Sequence, residues 1–186
     1  HDMSKDDQGR QGRIKTRVKT ARGRKISSTR WLQRQLNDPY VEQAQKDGYH
    51  SRAAYKLTEI DDRFSLLKPG YCVVDLGAAP GGWLQVAVER TKALESKGVV
   101  IGIDLLEIEP VQGASFVKMD FLDDAAPEVI KDMAGRGIDT VLSDMAANVT
   151  GHRNTDHLRT IALAEAAAWF TFENLKPGGS FCAKVF

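Results

Sequence analysis

The sequence has little of what disulfide-rich, metal-binding or membrane proteins require. Only two cysteines occur among its 186 residues, Cys72 and Cys182, and both stand in apolar, strand-like runs. Neither belongs to a CxxC pair or has a histidine at the spacing of a metal ligand, so we expect reduced core cysteines and no metal. The longest apolar runs, such as Val99–Ile103, fall far short of the roughly 20 residues that a membrane helix needs. We therefore predict a folded, soluble protein without a membrane partner.

Charge is distributed unevenly along the chain, although the formal net charge is only +1. Residues 1–34 hold 11 lysines and arginines against 3 acidic residues, which leaves 15 against 22 in the rest of the chain. The start is basic, poor in apolar residues and unlike a secretory signal, so residues 1–26 are predicted to form a flexible arm of a cytoplasmic protein. Such an arm suits a nucleic-acid backbone, but it is equally typical of a solubilising terminus.

Residues 27–186 are predicted to form one α/β domain. A pair of short helices is expected between residues 27 and 44, followed by a helix from Ser51, as its N-cap, to Phe64. Beyond Gly70, apolar runs such as CVVDL and VVIGI alternate with amphipathic stretches, the pattern of parallel strands covered on both faces. Right-handed crossovers would wind such units into a doubly wound, mainly parallel sheet. The predicted strands are 71–76, 99–104, 116–119, 138–144 and 180–186, and the helices between them are 82–94, 126–134 and 156–175.

A turn of small residues follows the first predicted strand. It reads GAAPGG from Gly77 to Gly82 and lies at the carboxyl edge of the sheet, where open α/β folds bind ligands. Small side chains let a ligand approach the backbone, and the next helix begins with exposed N–H groups. The turn is not the GxGxxG of dinucleotide folds, and Pro80 lacks a donor N–H for a pyrophosphate. It therefore favours a nucleoside-type ligand without phosphates, with a ligand-free structural turn as the alternative.

Two carboxylates stand at the ends of the next strands. Asp104 closes the second strand, where an acidic residue commonly accepts hydrogen bonds from ribose hydroxyls. Asp120 follows the third strand and could accept a hydrogen bond from the amine of adenine. Either residue alone could instead cap a turn, but together they describe an adenosine pocket with surplus negative charge. Such a pocket suits S-adenosylmethionine, because its sulfonium is positively charged.

A carboxylate and an amine are predicted to meet at the same edge of the sheet. Asp144 ends the fourth strand and Lys184 lies near the end of the fifth. Neighbouring strands are about 4.8 Å apart, and a lysine in an apolar strand is costly to bury unless it is paired. The pair is either a structural salt bridge or a site in which a neutral lysine, favoured by desolvation and a second nearby lysine, acts as general base toward a hydroxyl.

Together these segments resemble the bacterial large-subunit ribosomal RNA 2'-O-methyltransferase family, called RlmE or FtsJ. The similarity covers residues 27–186 and leaves out only the basic arm. It implies a Rossmann-like methyltransferase sheet, S-adenosylmethionine as the donor, and a uridine ribose 2'-hydroxyl of 23S ribosomal RNA in the large subunit as the acceptor. The motifs that carry it are SRAAYKL (51–57), VVDLGAAPGGW (73–83), IDLLEIEP (103–110), DF (120–121), SDMA (143–146) and PGGSFCAKVF (177–186).

The resemblance also implies roles for single residues. Lys184 would be the proton acceptor, Asp144 would orient it, and Lys56 would hold the acceptor ribose. The positions that match the family's donor site are Gly81, Trp83, Asp104, Asp120 and Asp144, and those that match its catalytic set are Lys56, Asp144 and Lys184.

The sequence departs from the family pattern at its end. The family's fourth catalytic residue, a glutamate on a later strand, has no counterpart before Phe186, so the chain is expected to be truncated after the fifth strand, short of two more. Two alternatives follow: a 2'-O-methyltransferase acting on another RNA, such as transfer RNA or a cap, or a noncatalytic RNA-binding ribosome-assembly factor that keeps the donor pocket. Methylation of a base nitrogen is disfavoured, because DMAAN lacks the proline pair and aromatic residue typical of that chemistry.

Overall fold

The computed structural model describes residues 38–145 and 151–184. The predicted basic arm, the first of the two short helices and the final two residues of the fifth predicted strand lie outside these ranges. The larger of two units, Ala44–Phe186, contains the sheet. The helices are α1 Pro39–Asp47, α2 Ala53–Phe64, α3 Gly82–Thr91, α4 Ala126–Ala134 and α5 Arg153–Asn174; the strands are β1 Cys72–Leu76, β2 Val99–Asp104, β3 Ala114–Lys118, β4 Ile138–Ser143 and β5 Leu175–Ala183.

The five strands form one parallel sheet in the order β3-β2-β1-β4-β5. The predicted doubly wound α/β fold is therefore confirmed. Strand β1 lies in the centre and is buried along its whole length, which is why its sequence, apart from Asp75, is apolar without alternation. The strand order reverses between β1 and β4, and such a switch point opens a crevice at the carboxyl ends of the strands.

Helices cover both faces of the sheet and create two cores. On one face, Val74 of β1 packs in a cluster with Ile130 of α4 and Phe170 of α5. On the other face, Val73 belongs to a cluster with Leu57 of α2 and Leu84 of α3. Burying each such side chain stabilises the fold by about 1.5–3 kcal/mol, so the two cores hold the strand ends in fixed positions.

Several predicted element ends are wrong because tertiary contacts set them. Ser51 is not the helix cap: α2 begins at Ala53, and no side-chain hydrogen bond caps it at Arg52. The Ser51 hydroxyl instead fills the space that a side chain at Gly82 would need. Helix α3 ends at Thr91 rather than at residue 94, because Lys92 adopts a left-handed conformation and its N–H bonds back to the carbonyls of Glu89 and Val88.

The later elements also shift by a few residues. Strand β3 begins two residues earlier than predicted, and α5 begins at Arg153 instead of Asp156. Strand β5 already begins at Leu175, which pairs with Ile138 before an irregularity in the register. Each helix within residues 38–145 and 151–184 is too short or too polar to cross a membrane.

Candidate active site

The glycine turn after β1 is held against the neighbouring strand ends. The N–H groups of Gly77 and Ala78 both donate to the carbonyl of Ile103, at 2.9 and 3.1 Å. Gly77 has a φ of 81°. A Cβ atom there would lie 2.8 Å from the Asp144 carbonyl oxygen and 2.9 Å from the Cα atom of Met145. Glycine therefore permits the close approach of the segment that follows β4.

Asp104 ties two loops together at the end of β2. Its Oδ2 atom accepts a hydrogen bond from the Ala79 N–H in the glycine turn, at 2.9 Å. Its Oδ1 atom accepts one from the Leu106 N–H, also at 2.9 Å. A carboxylate has about four lone-pair positions, so these two bonds leave acceptor capacity for the two hydroxyls of a ribose.

Asp120 lies two residues after β3 and is held by its own loop and by a helix. The Leu122 N–H donates to its Oδ1 atom at 2.9 Å, and the Arg159 guanidinium of α5 contacts both carboxylate oxygens. Burial acts to raise the pKa of Asp120, but the Leu122 amide and Arg159 outweigh it, so the pKa lies below its usual value. Asp120 is thus a fixed anionic acceptor.

Asp144 and Lys184 meet at the carboxyl edge, on neighbouring strands. Ser143 and Ala183 are partners in the register of β4 and β5, so the residues that follow them emerge side by side. The Lys184 N–H donates to the Ser143 carbonyl at 2.8 Å. The Lys184 ammonium nitrogen, Nζ, lies 3.7 Å from Oδ1 of Asp144, in a partly exposed ion pair.

Asp75 is a fully buried acid inside β1, next to the strand ends that form the site. Neither of its side-chain oxygens has a hydrogen-bond partner among the described residues. Burial raises the pKa of Asp75 well above its usual value, and the negative charges of Asp144 and Asp104 raise it further. The carboxylates of Asp104 and Asp144 therefore add to the effect of burial in opposing ionisation of Asp75.

A cleft at the switch point brings the predicted acidic residues together. Its lining includes Gly77, Asp104, Asp120 and Asp144, with Met119 and Leu163 as apolar walls. The surplus of carboxylates favours a positively charged ligand. Asp104 can accept hydrogen bonds from ribose hydroxyls, and the apolar side chains suit contact with a flat base. The cleft therefore has the chemistry that an adenosyl sulfonium donor requires.

Two further predicted donor residues lie on the loop and helix beside the cleft. Gly81 has a φ of 113° and immediately precedes α3. Trp83 is buried in the first turn of α3, and its Nε1–H donates to the Ala53 carbonyl at 2.9 Å. The indole thus fastens α3 to α2, so a donor contact at these two positions would use the backbone.

The predicted catalytic residues fall into two groups. Asp144 and Lys184 form the pair at the sheet edge described above. Lys56 is exposed on α2, and its Nζ atom lies 3.6 Å from the Glu59 carboxylate on the same helix. Helix α2, which carries Lys56, packs on the face of the sheet opposite to α5. The Lys56 side chain is exposed to solvent, where a large ligand can reach it.

The sequence motifs and the family resemblance imply no role for Asp75 or Arg159. A signal for Arg159 was present, since it precedes Leu163, Ala167 and Phe170 at helical spacing on the face that α5 buries. A cation on a buried face needs a partner. For Asp75 the signal was a lone acid in the apolar run CVVDL.

Known proteins are similar to this chain over the residues that form the site. The sequence profile of FtsJ-like methyltransferases matches residues 49–186. Ribosomal RNA large subunit methyltransferase E of Rhodopseudomonas palustris is 59% identical, over 99% of this chain and 76% of its own. The protein of the same name from Cereibacter sphaeroides is 58% identical, over 98% of this chain and 77% of its own. A Plasmodium falciparum structure described as a ribosomal RNA methyltransferase is 33% identical, with a TM-score of 0.62, over 72% of this chain and 76% of that one.

Proposed function

The chain belongs to the FtsJ-like methyltransferase family, and on that premise we propose that it methylates a uridine ribose 2'-hydroxyl of 23S ribosomal RNA. The methyl donor is S-adenosylmethionine. The observation that carries this proposal is the family match over residues 49–186, because it includes every residue of the carboxylate-lined cleft. The relatives named as ribosomal RNA large subunit methyltransferase E support the same substrate.

The donor is assigned to the cleft at the switch point. When bound, it supplies an electrophilic methyl group on a positively charged sulfur. Asp104 is the acceptor for the ribose hydroxyls and Asp120 for the adenine amine. Asp144 adds a carboxylate to the lining of the same cleft, and negative charge there favours a cation in a partly desolvated site.

Lys184 is assigned as the group that accepts the proton of the ribose 2'-hydroxyl. A neutral Lys184 amine can take that proton, and the carboxylate of Asp144, 3.7 Å away, orients the amine and stabilises the ammonium group that forms. Holding the hydroxyl beside the donor removes much of the entropic barrier to transfer. The exposed Lys56 is the group we assign to the acceptor ribose and its phosphates.

The RNA partner is also proposed to meet the basic arm, residues 1–26. Positive side chains spaced along a polar segment bind phosphates with little sequence preference. The arm would then add affinity while the cleft selects the reaction. We assign the reaction to the cytoplasm, where large ribosomal subunits are present in bacteria.

Transfer of a labelled methyl group tests this function. The protein is incubated with methyl-labelled S-adenosylmethionine and, in separate reactions, with large ribosomal subunits, small subunits, transfer RNA and capped messenger RNA. Modified riboses are then mapped in each RNA. We expect label at a 2'-oxygen of a uridine in 23S ribosomal RNA.

The other outcomes distinguish the alternatives. Label confined to transfer RNA or to a cap would identify a ribose methyltransferase of different substrate. Donor binding without transfer to any RNA would favour a binding factor that retains the pocket. Label on a base nitrogen would contradict the assignment of the acceptor.

A further inference from the structure

Arg159 lies where a helix normally buries apolar side chains. It stands four residues before Leu163 on α5, in line with Ala167 and Phe170, which are buried in the core. Only 31% of the surface of its side chain is exposed to solvent. A guanidinium in such a position requires an anionic partner, since removing it from water disfavours the charge.

The partner of Arg159 is the carboxylate of Asp120. The Nη2 atom of Arg159 lies 3.0 Å from Oδ2 and 3.2 Å from Oδ1. The Leu122 N–H donates to Oδ1 as well, at 2.9 Å. Of the roughly four lone-pair positions of a carboxylate, three are occupied, and the remaining one belongs to Oδ2.

The surroundings of Asp120 fit a flat heterocycle. Arg159 and Asp120 line the cleft together with Phe121, Leu163 and Met119. Phe121 and Leu163 are also members of the core cluster, so their positions are fixed by packing. A single open acceptor beside apolar walls recognises a ring that carries one N–H donor at its edge.

We propose that Arg159 is a positioning residue for donor specificity, which fixes Asp120 as an acceptor for the exocyclic amine of adenine and thereby excludes purines with an oxo group at that position. This inference rests on the proposed function. An oxo-purine would direct a carbonyl oxygen at the carboxylate, so two acceptors would face each other without a proton between them. Sites built for a hydrogen-bond donor reject analogues that lack it.

A purely structural role for Arg159 makes a different prediction. If the ion pair only fastened α5 to the loop after β3, its loss would weaken binding of every nucleoside in the cleft by the same factor. The ratio of affinities for two nucleosides that differ at one ring position therefore separates the two roles.

The test measures calorimetric dissociation constants for S-adenosylhomocysteine and for its deaminated analogue, S-inosylhomocysteine. The proteins are wild type, Arg159→Gln, Arg159→Lys, Asp120→Asn and Arg153→Gln; the last removes an exposed arginine from the same helix. We expect the wild type and Arg153→Gln to prefer the amino compound strongly. Arg159→Gln should reduce that preference at least about tenfold, because the charged hydrogen bonds are lost, and Arg159→Lys should restore part of it.

Asp120→Asn provides an independent check of the geometry. An amide can turn its NH₂ group toward the oxo group, so this variant should lose the preference or reverse it. Thermal unfolding first shows whether the Arg159 variants are folded. The inference is overturned if the folded variants lose affinity for both ligands by the same factor, so that the ratio of the two dissociation constants stays at the wild-type value. A wild-type protein that binds neither ligand would instead overturn the proposed function itself.

Discussion

Among single residues, Asp75 carries a carboxyl group that the fold buries completely. Its two oxygens make no hydrogen bond among the described residues, and the charges that shift its pKa, those of Asp144 and Asp104, are negative. Such a group is destabilising when ionised, because desolvation and repulsion both disfavour the charge. Burial therefore favours the neutral, protonated form of Asp75.

Asp75→Asn should make the folding free energy less dependent on pH. The pKa of Asp75 is higher in the folded than in the unfolded chain, so between those two values the folded state binds more protons. Wild-type stability therefore falls as pH rises through this window, by up to about 1.4 kcal/mol per pH unit. The variant lacks this titration and should gain stability relative to wild type over the same range, as urea unfolding at several pH values can measure.

Asp124→Asn is the matched control, since it removes an aspartate that is exposed on a loop. We expect its stability relative to wild type to change little with pH. A constant difference between Asp75→Asn and wild type at all pH values would contradict the account of Asp75.

At the scale of elements, the glycine turn and the segment after β4 depend on each other. Gly77→Ala would introduce a Cβ atom 2.8 Å from the Asp144 carbonyl oxygen, at a positive φ. Gly135→Ala is the control, because Gly135 also has a positive φ but has no atom within 4 Å of the added Cβ position. The control should be destabilised by about 1–2 kcal/mol, and Gly77→Ala by about 1–3 kcal/mol more from overpacking.

Chemical denaturation of both variants measures this difference. Gly77→Ala should also bind the donor more weakly, since the loop and Asp144 must separate to admit the methyl group of alanine. Equal destabilisation of the two variants, with donor binding intact in both, would argue against a close approach at Gly77.

The inner strands β1 and β2 could be predicted from sequence because burial on both faces leaves a run of mostly apolar residues without alternation. Their ends could not, since contacts between distant segments set them. Leu175 begins β5 because it pairs with Ile138, although LKPGG has the composition of a turn. Ser51 loses its capping role because its hydroxyl packs against the backbone at Gly82.

The site was predictable to the extent that it follows from topology. Acids at the ends of parallel strands converge at one edge, so Asp104 and Asp120 could be grouped from their places in the sequence. The interaction of Arg159 with Asp120 joins a helix to a loop 39 residues earlier in the chain. No local pattern specifies such a pair.

At the scale of the whole molecule, charge is divided between an acidic body and a basic start. Deleting residues 1–26 should weaken binding to ribosomal RNA and flatten its salt dependence, by about 0.7–0.9 in the logarithmic slope for each phosphate that is no longer neutralised. Binding of S-adenosylmethionine should not change. A scrambled arm of equal composition should retain the affinity, because counterion release depends on charge and not on order.

Filter binding or fluorescence anisotropy at several salt concentrations measures both quantities. A salt slope that is unchanged after deletion would mean that residues 1–26 bind no phosphates. A large drop in affinity with the scrambled arm would mean that this segment reads sequence or structure in the RNA.

We propose that Lys184, paired with Asp144 at the carboxyl edge of the sheet, accepts the proton of the ribose hydroxyl. Single-turnover methyl transfer to large ribosomal subunits by Lys184→Ala tests it most directly, with the donor dissociation constant measured in parallel. Lys118→Ala is the control, since Lys118 is an exposed lysine at the end of β3. We predict that Lys184→Ala binds the donor like wild type but transfers the methyl group at least about 100-fold more slowly, whereas transfer at the wild-type rate would contradict the account.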